Sequence, residues 1–105
     1  MRVINVVQAL PPTDVARILG KQLLRSGTSV GANYRAACRA RSRADFLNKL
    51  KIVEEEGDES LYWMELVVAA GCLPQRRLAT LLREGDEIVA IVVSALKTLR
   101  RGDPA

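Results

Sequence analysis

Apolar residues recur along most of this chain at the alternating three- and four-residue spacing of helices. Residues 2–10 form a short apolar stretch, read as a helix, and Pro11-Pro12 stops it. Thr13 or Asp14 is placed to cap a second helix. In it Leu19, Leu23, Ser26, Val30, Asn33, Ala37 and Ala40 trace one face. Gly27 and Gly31 each cost such a helix about 1 kcal/mol relative to alanine, so their presence points to close packing. Ser42-Arg-Ala-Asp45 has capping-box spacing, with Asp at the usual Glu position, and opens a third helix. Its stripe is Phe46, Leu50, Val53, Gly57, Leu61, Met64 and Val68; Gly71, with Pro74 close behind, ends it. A fourth helix is predicted over 75–100, striped by Leu78, Leu81, Gly85, Ile88, Val92, Ala95 and Leu99.

Three long helices and one short one, joined by tight turns, predict an all-α fold. The expected form is an antiparallel up-down four-helix bundle with a short first helix, one domain over residues 1–105. Composition agrees: 49% of residues are apolar but only 4% aromatic, which gives an aliphatic core. The run from 88 to 96 is apolar on nearly every side, more than a solitary bundle can cover. A homo-oligomer is therefore expected, with Ile88, Ile91 and Val92 at its interface. The short first helix also leaves one groove partly covered and open to a neighbouring subunit. That same run falls far short of a membrane span. Asn5 and Gln8 interrupt the N-terminal apolar stretch and no cleavage motif follows, so no signal peptide is expected. Cys38 and Cys72 do not form a CxxC pair; free thiols in a reducing cytoplasm are the expectation.

Charge changes the picture through its distribution more than its sum, a net +4. From 17 to 51 nine basic residues face one acid, Asp45; from 54 to 65 there are six acids and no base. The C-terminal part turns basic again at Arg76, Arg77, Arg83, Lys97, Arg100 and Arg101. Such segregation suits an anionic partner, and equally a solvated surface or charge pairing between helices or subunits. Arg35, Arg39, Arg41 and Arg43 are the sharpest cluster: the first two lie one helical turn apart and the others fall at the following turn. Arginine clusters suit phosphate backbones. No aromatic interleaving accompanies them, so RNA binding, if present, would be led by charge and shape. Tyr34, Tyr62 and Trp63 are expected in the core or at a subunit contact, base stacking being the alternative.

Catalysis finds little support. Histidine is absent, which removes the commonest general base and transition-metal ligand. Ser26, Ser29 and Cys38 therefore lack an activating partner of that kind. Glu56 and Glu59 share one helix, whereas a carboxylate-bridged metal centre draws glutamates and histidines from several. The stretch Arg25-Ser-Gly-Thr-Ser-Val-Gly31 lacks the Gly-Lys-Ser/Thr ending of a phosphate loop. No catalytic residue, metal or cofactor is expected.

Three blocks together carry a family resemblance: QLLRSGTSVGANYRAA (22–37), S-x-x-D-F-x-x-K-L (42–50), and EGDESLYWMEL (56–66) leading into Ala-Gly-Cys-Leu73. The chain resembles the intervening-sequence proteins of bacterial 23S rRNA genes, also called four helix bundle proteins. The resemblance implies a left-handed antiparallel four-helix bundle and a homopentamer. It also extends to the accessory protein of diversity-generating retroelements, a basic pentamer that associates with nucleic acid and a reverse transcriptase. Arg25, Asn33, Arg35, Glu56 and Glu59 match family positions. Asn33 lies on the apolar stripe and needs partners. The expected arrangement is a polar network joining it to Arg25 and one or both glutamates across the bundle, the other reading being a ligand or RNA contact. The chain departs from the family in a shorter first helix, so its N-terminus looks truncated or its assigned start late. It has Ala36 where a Glu usually follows Tyr-Arg, and Glu54 and Glu55 where the family has an apolar residue and Lys.

Two functions compete on this sequence. One is a non-enzymatic, oligomeric RNA-binding protein that uses the arginine string. The other is a structural module that binds another protein without nucleic acid.

Overall fold

The computed structural model describes residues 2–100, so Arg101 lies outside the described residues. Four helices follow in order: α1 (Arg2–Gln8), α2 (Asp14–Cys38), α3 (Arg43–Ala69) and α4 (Gln75–Arg100). Their ends are set by local chemistry. The Thr13 hydroxyl accepts from the Ala16 amide at 3.1 Å and caps α2. The Ser42 hydroxyl accepts from the Asp45 amide at 3.0 Å and caps α3. α3 ends in a Schellman turn: the Gly71 amide donates to the Val68 carbonyl and the Cys72 amide to the Val67 carbonyl, each at 3.0 Å. The turn needs a left-handed residue, and Gly71 supplies it with φ +73°.

The helices form the expected four-helix bundle. Each packs on the next in chain order, and α1 also packs on α4. Among the described residues the four thus stand around a ring with no close backbone approach across either diagonal. The result is a rod of 50 × 21 × 18 Å. α1 sits in the groove between α2 and α4, but it is short. Its 7 residues reach about 10 Å, whereas each other helix reaches about 40 Å.

The core has two parts. Toward α1, Val3, Leu19, Leu23, Met64 and Leu78 are buried together. At the other end α2, α3 and α4 close on one another through Ala37, Leu50, Val53, Val92 and Leu96. Between them the Ser60 hydroxyl donates to that of buried Ser26 at 2.9 Å, and Gly57 lets Val89 approach α3.

Most of the predicted stripes are the buried faces. Two corrections follow from the packing. At the end of α3 Val67, not Val68, is the fully buried residue. On α4, Val92 is only 3% exposed and belongs to the chain's own core, while Ile88 and Ile91 are 39% and 68% exposed. Val92 faces inward because it continues the Leu78–Leu96 side of the helix. It therefore has no surface to offer the expected subunit interface.

Beyond α1 the α2–α4 groove stays open. It holds a cavity of 420 Å³ walled by Leu23, Gly27 and Val30 on one side and Gly85 and Ile88 on the other, with Met64 on the floor. Val3 closes one end, its Cγ2 standing 2.8 Å from where a Cβ of Gly27 would be. A side chain at 27 would force Val3 to shift. No helix of the described residues is long and apolar enough to cross a membrane.

Candidate nucleic-acid interface

The bundle gathers its sharpest cluster of cations at one end. Arg35 lies in the last turn of α2 and Arg39 is the residue that terminates it. Arg41 falls in the connection to α3, and Arg43 is the first residue of α3. α4 finishes at the same end: the Arg43 guanidinium donates through Nη2 to the Leu99 carbonyl. Lys97 and Arg100 occupy that last turn of α4. The C-terminus of α2 and the last described turn of α4 thus converge, and the C-terminal turns of helices carry a partial negative charge. Part of the basic cluster has a structural task there, and Arg43 performs it directly.

The remaining arginines are less committed. Arg35, Arg39 and Arg41 are exposed. Among the described residues, the ion pairs are Arg2–Glu84, Arg17–Asp14, Arg25–Glu56 and Arg25–Glu59, so none of these three arginines is neutralised. Four predicted residues therefore share one end, with three free to meet an anion and one tied to α4. Tyr34 is not in the core, which leaves the subunit contact or base stacking of the two readings given above. It is 55% exposed, directly before Arg35 in the chain and one turn from Cys38, which is exposed too.

The expected polar network exists in altered form. Arg25 donates from Nη1 to Glu56 at 3.1 Å and from Nη2 to Glu59, which ties α2 to α3. Asn33 is not part of it. Its amide donates to the Ser29 carbonyl at 2.9 Å and to the Ser29 hydroxyl at 3.1 Å, within its own helix. The nearest acceptors on α2 satisfy it before anything across the bundle can. Two other residues take its place. The Trp63 indole donates to Glu59 at 3.2 Å, and the Arg25 Nε donates to Gln22 at 3.1 Å. Their signal in the sequence was spacing alone: Trp63 one turn after Glu59, and Gln22 one turn before Arg25. The network is half-exposed, with Arg25, Glu56 and Glu59 side chains at 48%, 21% and 35%. It ties α2 to α3.

Ile88 and Ile91, the other predicted surface residues, stand on α4 away from the basic cluster, with Ile88 walling the open groove. Among the described residues no group of three histidine, cysteine, aspartate or glutamate side chains could hold a metal ion.

No curated protein matches the chain. A solved structure does: a protein with unknown function from the S23 ribosomal protein family of Bacteroides thetaiotaomicron VPI-5482. It is 38% identical, with a TM-score of 0.85, and the match covers 92% of this chain and 90% of that one. The model of the 23S rRNA-intervening sequence protein family matches residues 1–94. A family match over most of the length, joined to a shared bundle at this identity, settles the lineage: the chain belongs to the 23S rRNA-intervening sequence protein family.

Proposed function

We propose that this chain is a non-enzymatic, oligomeric RNA-binding protein of the cytoplasm that grips phosphates with the end of its bundle. The observation that carries the reading is the exposed trio Arg35, Arg39 and Arg41, which has no carboxylate partner among the described residues. Such cations face either solvent or an anion, and clustered guanidinium groups bind phosphate well. Family membership supports RNA as the anion. A homopentamer is the assembly that the resemblance implies, and Ile91 at 68% exposure is the residue most in need of cover.

The second reading is a protein-binding module. Its support is the open, apolar α2–α4 groove with Ile88 on its wall. Replacing Arg35, Arg39 and Arg41 together by glutamate separates the two. RNA affinity is expected to collapse while the mass of the assembly and its helical signal stay unchanged. Unaltered affinity would remove the basic end from the RNA site.

A further inference from the structure

We infer that the RNA is single-stranded where it crosses the basic end, with one unpaired base stacked on Tyr34. This rests on the phosphate-binding reading just given and adds a class of substrate to it.

Tyr34 is the starting point. It is 55% exposed, about as much as Tyr62, but Tyr62 packs edge-on against Trp63 at a centroid distance of 5.1 Å, whereas no aromatic partner stands against Tyr34 among the described residues. Nothing beside it on the helix covers it. One turn earlier stands Gly31, exposed and without a side chain, and one turn later stands Cys38, small and also exposed. The next residue in the chain is Arg35, and Arg39 lies about 6 Å further along the axis at 1.5 Å per residue. Both are exposed and unpaired among the described residues. Successive residues of a helix project about 100° apart, so the ring and the free guanidinium groups occupy adjoining faces. An accessible aromatic on the face adjoining free cations can hold a single strand: guanidinium groups track the backbone while the ring takes a base face.

A duplex cannot use this combination. Its bases are stacked on one another, so a ring beside the phosphates has no face to meet. The stacking is also blind to base identity, since every base has a π-face. One exposed tyrosine therefore implies a preference for unpaired RNA with little choice of sequence.

The test uses the full chain and fluorescence anisotropy with two probes: labelled oligouridylate of about twelve nucleotides, and a blunt RNA duplex of similar length. Tyr34→Leu keeps an apolar side chain but no ring, and Tyr34→Phe keeps the ring without the hydroxyl. The expected result is a loss of about tenfold for the single strand with Tyr34→Leu, little change with Tyr34→Phe, and little change for the duplex with either. Arg39→Glu weakens both probes. If Tyr34→Leu binds the single strand as tightly as wild type while Arg39→Glu still weakens it, the stacking inference is wrong and the phosphate site stands. A wild-type preference for the duplex would overturn the stacking inference in the same way. If wild type binds neither probe at low salt, the RNA reading fails and the inference falls with it. Circular dichroism of both Tyr34 variants checks that the bundle is intact.

Discussion

Single atoms decide how closely these helices approach. A Cβ at Gly57 would stand 2.9 Å from Val89 Cγ2, and one at Gly85 would stand 2.8 Å from Leu61 Cδ2. The distances are alike but the neighbours differ. Leu61 can move the end of a flexible side chain, whereas Val89 is branched at its Cβ and held between α3 and α4. Gly57→Ala should therefore destabilise the bundle by about 1 kcal/mol net, overpacking outweighing the gain in helix propensity. Gly85→Ala should be close to neutral. Urea denaturation of both variants checks the contrast; equal effects would mean that the neighbour's stiffness does not matter. The residue scale is also where the sequence was hardest to read. Asn33 occupies a stripe position, and periodicity alone sends it across the bundle. Its direction is set instead by Ser29 one turn away, a competition that spacing does not reveal. Arg25, with no such neighbour to absorb all its donors, does reach Glu56 and Glu59 as expected.

At the scale of elements, the punctuation was legible because each signal has a local cause. Thr13 and Ser42 each accept a backbone hydrogen bond three residues on, and Gly71 adopts the backbone that other residues avoid. Gly71→Ala should cost about 1–2 kcal/mol for the left-handed conformation alone. Space is no obstacle there, since nothing lies within 4 Å of the added carbon. A loss well below that in thermal unfolding would show that the turn relaxes. The phase of α4 was less legible. The predicted stripe includes both Ile88 and Val92, and Ile91 and Val93 are apolar too, so the pattern alone does not say which of them is covered; the packing of Leu50, Val53 and Leu96 with Val92 does. Ile91→Glu and Val92→Glu thus part company. The first should leave the fold intact and lower the mass of the assembly; the second should unfold the chain by burying an unpaired charge. Sedimentation and circular dichroism read both, and a folded Val92→Glu variant would contradict the core assignment.

Over the whole molecule, charge is sorted along a rod 50 Å long. Arg35, Arg39, Arg41, Arg43, Lys97 and Arg100 gather at one end, while Glu54 to Glu59 lie in the middle turns of α3; Asp45 stands in its first turn, and Arg76 and Arg77 open α4 at that helix's other end. The resemblance to the intervening-sequence proteins, read from three sequence blocks, is upheld by the family match and by the bundle of the Bacteroides protein. The chemistry of the basic end was only half legible. Clustering of Arg35, Arg39, Arg41 and Arg43 is visible in sequence, but the diversion of Arg43 to the end of α4 depends on a contact between residues 56 positions apart.

The measurement that bears most directly on phosphate binding at this end is RNA affinity across a salt series, by anisotropy on the purified chain. Three free arginines that each displace a counterion predict a straight line of log affinity against log salt, with a slope of about −2 to −3. That slope should shrink by about 1 when Arg39 is replaced by glutamine. A flat line, or no binding at low salt, would contradict phosphate binding here, leave the basic end as solvated surface, and turn attention to the open groove and a protein partner.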